Sequence, residues 1–190
     1  MPEMRRVPVD PKRRPANPIP DVGMAARGTD EPALCDCPHL EAGDWDEAEN
    51  DWSDIAFLKG TANAVMGVPV GYRSLTVELR KKALDLGLTI PDDAMVLLGE
   101  GKFRRPLLLE VEAPASLRKG IFRPGGIAFT RLAPAPPGKI GNLLKETRAI
   151  AKERYRRSPD AEWIWYLTCR ECSGAREFET LVALHYRQKK

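Results

Sequence analysis

Residues 126–157 read GIAFTRLAPAPPGKIGNLLKETRAIAKERYRR. Two different periods meet in this stretch. Gly126 to Ala133 (GIAFTRLA) has the short apolar character of a strand. Pro-Pro-Gly at 136–138 then opens a helix, because proline presets a first-turn backbone and lacks only an N–H that a first turn leaves unpaired. Over KIGNLLKETRAIAKERYRR, the residues Ile140, Leu143, Leu144, Thr147, Ile150, Ala151 and Tyr155 recur at i, i+3, i+4. That stripe is a face the helix must bury. Two strands follow, EWIWYLTC (162–169) and FETLVALHYR (178–187), joined by a turn carrying Cys172 and Gly174. The order is βαββ.

The same order precedes it. Phe57 to Val70 (FLKGTANAVMGVPV) reads as an extended segment, since its small residues and proline argue against a helix. Ser74 can cap a helix over LTVELRKKALDLGL, where Leu75, Leu79, Ala83 and Leu86 share a face and Gly87 follows. The strands AMVLLGEG and RPLLLEVEA come next, joined by a turn at Gly99 to Lys102. The two units share an element order and little sequence identity. The expected fold is therefore α+β: two βαββ repeats in one antiparallel sheet, with both helices on one face, plus an extended N-terminal arm. The other face, or the cleft between the units, is left to line a pocket.

The arm covers residues 1–33 and is rich in proline and arginine, with prolines at 2, 8, 11, 15, 18, 20 and 32. Such a composition predicts a flexible segment. Its Arg5, Arg6, Lys12, Arg13 and Arg14 offer a weaker alternative, a basic arm for nucleic acid. The single domain then spans 34–190: a metal or acidic loop over 34–56, the first βαββ over 57–115 and the second over 122–188. Seven acids lie between Glu41 and Asp54, with Trp45 and Trp52 among them. This segment reads as a loop pinned by its indoles, its acids on a solvated face.

The 190 residues carry 43% hydrophobic and 30% charged side chains and a net charge of +3. That balance suits a soluble domain and demands no nucleic-acid partner. The chain has no long apolar run for a membrane helix and no apolar signal core behind its first residues, so a cytoplasmic location is expected.

LLLEVEAPAS (107–116) resembles the acidic strand ending in proline that closes the first repeat of GyrI-like small-molecule-binding domains. FRPGGIAFTRLAPAP (122–136) is similar to the opening of their second repeat: a glycine pair, a strand, then a helix. The likeness covers roughly Phe57 to Tyr186. It implies an aromatic pocket between the repeats for hydrophobic, often cationic, molecules, faced by a buried carboxylate. Some stand-alone members of that family hydrolyse strained electrophilic compounds with such a carboxylate, and with no helix-turn-helix ahead of the domain this chain resembles a stand-alone member. The cysteine pairs and the acidic tryptophan segment depart from the family pattern.

Alternation along RPLLLEVEA sends Leu107, Leu109 and Val111 to one face and Leu108, Glu110 and Glu112 to the other. The leucine set is expected to meet the helices, which leaves Glu110 and Glu112 as candidate catalytic carboxylates; solvated acids on an open sheet face are the plainer reading. Trp163 and Trp165 share a face with Leu167, while Ile164 and Tyr166 share the other. Trp163, Trp165, Tyr166 and His185 are candidate ligand contacts, with packing and a structural histidine as the alternatives. The ligand class expected is a small hydrophobic molecule.

The four cysteines fall in two pairs about 130 residues apart: Cys35 and Cys37 in LCDCPHL, Cys169 and Cys172 in YLTCREC. A Cys-X-X-Cys at a hairpin turn is a knuckle that aims both sulfurs at one point, and a closed zinc site needs four ligands. Cys35, Cys37 and His39 can supply the remainder, giving Cys₄ or Cys₃His. Such a zinc would staple the N-terminal segment to the C-terminal hairpin. Reversible disulfides, or four thiols without a joint role, remain the other readings. The candidate functions are a stand-alone pocket protein able to hydrolyse its ligand, and a non-catalytic metal- or redox-responsive binding protein. The sequence leaves the oligomeric state open.

Overall fold

The computed structural model describes residues 6–7, 35, 37–114, 119–169 and 171–188. Apart from Arg6 and Val7, the arm expected over 1–33 lies outside the described residues. The elements in chain order are β1 (Arg6–Val7), α1 (Ala42–Trp45), β2 (Ala48–Asp51), β3 (Ala56–Val65), β4 (Val68–Pro69), α2 (Tyr72–Asp85), β5 (Val96–Gly99) and β6 (Arg104–Val111). They continue with β7 (Ile121–Phe122), β8 (Ile127–Pro134), a 3₁₀ turn (Pro137–Lys139), α3 (Ile140–Tyr155), β9 (Ala161–Tyr166) and β10 (Glu179–Tyr186).

The strands form one sheet in the order β1-β2-β8-β10-β9-β5-β6-β3-β4, with β7 on β3. All pairs are antiparallel except β1 with β2. Each unit places its first strand outermost, its third strand in the middle and its second strand at the seam: β3-β6-β5, then β9-β10-β8 in mirror order. The units meet where β5 pairs β9, at Leu98 with Ile164 and Gly99 with Trp163. The repeated βαββ order is thus realised as a sheet doubled about its centre.

Paired residues in antiparallel strands point to the same face. One row therefore runs Gly60, Leu107, Leu98, Ile164, Val182 across five strands. Both helices lie over this row. Leu79 of α2 sits on Gly60, where an added Cβ would stand 3.1 Å from Leu79 Cδ1, so the missing side chain lets the helix approach. Ile140, Leu143 and Ala151 of α3 pack in one cluster with Ile164, Val182, Leu184 and Tyr186. The rings of Tyr72 on α2 and Tyr166 on β9 meet edge to face at 5.3 Å between centroids, linking the two units on the helix side.

The opposite face is not open. The tryptophans on either side of β2 lie across it: Trp45 meets Trp165 edge-on at 6.3 Å, and Trp52 stacks on His185 at 5.5 Å and touches Phe57. Trp163 and Trp165 are both buried in the larger core cluster on this face.

Three local differences from the sequence reading have physical causes. Helix α2 begins at Tyr72, not after Ser74, because Gly71 takes a left-handed turn (φ 66°) and the Tyr72 hydroxyl donates to Val96 O. The acidic segment holds a short helix and the strand β2, where a loop was expected. Its acids have partners: Asp46 accepts from Arg131 Nε at 2.8 Å and Leu132 N at 3.1 Å, and Glu49 accepts from the Tyr155 hydroxyl at 2.7 Å. The extended segment 57–70 turns back on itself at Met66–Gly67 as the β3–β4 hairpin. No helix among the described residues is long and apolar enough to cross a membrane.

Candidate functional site

Two clusters of chemistry stand out: four cysteines after β9 and a cleft on the helix face. The first is the cysteine cluster. After β9 the chain turns tightly: Ser173 N donates to Cys169 O, Arg176 N to Cys172 O and Cys169 N to Cys172 Sγ at 3.3 Å. This knuckle brings the Cys169 and Cys172 sulfurs to 3.8 Å. Cys35 and Cys37 come down on it from the N-terminal segment, and all four sulfurs lie within 4.8 Å of one another. Arg176 holds the two segments together, donating to Pro38 O at 2.7 Å, Cys37 O at 3.5 Å and Leu167 O at 3.3 Å while its Nε bonds Glu179.

Crowding splits the thiols. Bonding from Cys172, with a backbone bond at Cys37, draws the Cys35 thiol down to about 7. Burial, with the neighbouring thiols adding, pushes Cys37 up to about 12. The Glu171 side chain raises Cys169. Four sulfurs at this spacing could hold a metal ion, whose charge would favour the thiolate form of all of them. His39 is exposed and stands outside the four-sulfur group.

The second cluster is a cleft of about 640 Å³ on the helix face, between the two units. The β3–β4 hairpin, the β5–β6 turn, β9 and the start of α3 form its walls. Ile140, Leu144, Ile164, Met66 and Val68 give it an apolar lining. Its polar groups are Arg105, Tyr166, Glu100 and Lys102. The size falls in the range of small-molecule sites. Burial raises the Tyr166 hydroxyl, and the adjacent Arg105 guanidinium offsets part of that rise. Glu100 Oε1 accepts from Arg148 Nη2 of α3 at 2.9 Å, and Arg148 also pairs with Glu162 of β9. That bridge spans the seam and holds Glu100 at the cleft rim.

Of the residues singled out from the sequence, Tyr166 lines this cleft. Trp163, Trp165 and His185 lie on the other face of the sheet, where Trp45 meets Trp165 and Trp52 stacks on His185. His185 is 1% exposed, its Nε2 2.6 Å from Gly125 O, and burial lowers its pKa. Glu110 is also buried on that far face, where its Oε2 accepts from Met95 N at 3.0 Å. Glu112 is exposed beyond the end of β6.

The sequence reading missed Arg105, although a signal existed. Arg105 has the parity of Leu107, Leu109 and Val111, so it sits on the apolar, helix-facing side of β6. A charged residue at such a position marks a site or a buried pair.

This is an α+β protein with a tandem βαββ sheet, a cleft on its helix side and a four-cysteine cluster where the N-terminal segment meets the turn after β9. The chain matches the family described as bacterial hydrolase over residues 27–185 and belongs to that family. No curated protein and no solved structure gives a significant match.

Proposed function

We propose that the protein is a hydrolase of a small, largely apolar electrophilic molecule, which it binds in the helix-side cleft. The observation that carries this reading is the open cleft of roughly 640 Å³ at the seam, in a chain of the bacterial hydrolase family. The tandem βαββ order and a pocket between the repeats also support the GyrI-like resemblance. Glu100 is the carboxylate among the described cleft residues. In this reading it takes a proton from a water whose oxygen bonds to the electrophilic carbon, and the proton is returned to the leaving oxygen. Arg148 orients it. Glu110 and Glu112, remote from the cleft, have no part in the step.

The four cysteines are proposed to bind one structural zinc ion. The 3.8 Å between Cys169 and Cys172 is close to the edge of a tetrahedron with zinc–sulfur bonds of about 2.3 Å. Four thiolates close the coordination sphere and leave no position for a reacting water, so this metal would fasten the N-terminal segment rather than take part in hydrolysis.

The test is turnover of a panel of 4-nitrophenyl esters, lactones and epoxides by wild type and Glu100→Gln. The expected result is hydrolysis of at least one class, reduced on the order of a hundredfold or more in Glu100→Gln with substrate binding retained. Absence of turnover across the whole panel removes the enzyme reading.

A further inference from the structure

The cleft contains a buried cation without an ion-pair partner among the described residues. Arg105 is 6% exposed. Its Nε donates to Gly99 O at 2.6 Å and its Nη1 to Gly67 O at 2.7 Å, so two backbone carbonyls fix the plane of the guanidinium. Among the described residues no carboxylate lies within ion-pair distance of it. Glu100, the acid at the rim, is engaged by Arg148 instead. Lys102 adds a second positive charge to the lining.

A guanidinium removed from water without a counter-charge is costly, and proteins retain such groups where a ligand supplies the missing charge. The two carbonyl bonds account for two of the five N–H groups of arginine. The Tyr166 hydroxyl also hydrogen-bonds the guanidinium, and the N–H groups left over suit a carboxylate, which arginine binds by charge-assisted hydrogen bonds. Beside it, Tyr166 can donate its hydroxyl, and Ile140, Leu144 and Ile164 present an apolar wall. The arrangement is polar and positive at one end and apolar along its side.

We propose that Arg105 makes this cleft selective for amphipathic carboxylates: an anionic head on Arg105 and a hydrophobic body along α3 and β9. This rests on the cleft being the substrate site and names the class of substrate. It also reverses the charge preference that the GyrI-like resemblance implies, since a cationic ligand would meet Arg105 and Lys102.

The test uses three probes of similar shape and different charge: 4-phenylbutyrate, 4-phenylbutanol and 4-phenylbutylamine. Their affinities are measured by calorimetry on wild type, Arg105→Gln, Arg105→Lys and Gly141→Phe. Gly141 lines the cleft, and a Cβ there meets nothing within 4 Å, so phenylalanine introduces bulk at the cleft wall without a clash at its Cβ. Phenylbutyrate should bind wild type at least about tenfold more tightly than the other two, the factor expected of a charge-assisted hydrogen bond. Arg105→Gln should erase that preference, Arg105→Lys should reduce it, and Gly141→Phe should block phenylbutyrate. Should Arg105→Gln fail to fold, the wild-type ranking and the lysine variant still decide. Equal affinity for the three probes, preference for the amine, or binding of none at millimolar concentration overturns the inference. If phenylbutanol binds as well as phenylbutyrate and Gly141→Phe blocks both, the cleft reading stands and only the charge selectivity falls. If Gly141→Phe changes nothing, the probes lie elsewhere and both fall.

Discussion

Arg176, in the C-terminal hairpin, donates to the carbonyl of Pro38 at 2.7 Å, across 138 residues of sequence. Together with its bond to Cys37 O, this contact fastens the N-terminal cysteine segment to the knuckle at Cys169 and Cys172. The layer over the far face, with Trp45 and Trp52, begins at that attachment. Replacing Arg176 by alanine leaves the Pro38 and Cys37 carbonyls and the Glu179 carboxylate without it. A loss of about 1–3 kcal/mol of unfolding free energy is expected in urea titration. An unchanged midpoint would show that the segment is held without Arg176.

Metal analysis tests the cysteine cluster. Freshly purified protein should hold one zinc per chain, and Cys35→Ser or Cys169→Ser should lower that stoichiometry. A chelator should lower the melting temperature of wild type and leave the serine variants little changed, because a bound ion stabilises only the folded chain. Protein without metal, and with a melting temperature indifferent to chelator and zinc, contradicts the assignment.

His185 gives stability a pH dependence. Burial lowers its pKa below the ordinary 6.5. The unfolded chain therefore takes up the proton first as pH falls, and protonation favours unfolding. The His185 contribution is complete above pH 6.5 and is lost as pH drops from there through the lowered folded value. His185→Gln should flatten this part of the curve, whatever its cost at neutral pH. A wild-type unfolding free energy that rises as pH falls below 6.5 would contradict the buried neutral ring stacked on Trp52.

Gly99 is the tightest point of the seam. A Cβ there would stand 2.5 Å from Pro106 Cγ and 2.8 Å from Trp163 Cζ3. Gly99→Ala should force the indole or the strand aside and cost about 1–3 kcal/mol, the usual range for overpacking. Gly141→Ala, where the space is open, should cost nothing measurable on the same titration. Equal effects would mean that the units do not meet as described.

The parts of the molecule legible in the sequence were those with strong periods. The α3 stripe of Ile140, Leu143, Thr147 and Ala151 is the buried face of that helix. The alternation of Leu107, Leu109 and Val111 against Leu108 and Glu110 gave the faces of β6. The knuckle spacing of Cys169 and Cys172 pointed to the meeting with Cys35 and Cys37. What stayed hidden depends on tertiary partners. Strand β2 (AEND) has no β-branched residue and little apolar surface. It pairs on β8 with Asn50 Nδ2 donating to Thr130 Oγ1 and Tyr155 donating to Glu49, partners on remote elements. The side of the sheet that carries the cleft was hidden for the same reason. Periodicity sorts Glu110 from Leu109 and the tryptophans from Ile164 within each strand, but does not show that Trp45 and Trp52 cover the face they share.

In the proposed reaction, substrate is turned over in the helix-side cleft. The most direct measurement is the steady-state hydrolysis rate of Gly141→Phe beside wild type, on whichever panel substrate the wild type cleaves, with melting temperature and zinc content recorded for both. The expected outcome is a loss of kcat/KM of on the order of a hundredfold at unchanged stability and metal content, since a filled cleft cannot position substrate. Wild-type turnover in the filled protein would place the chemistry elsewhere on the molecule.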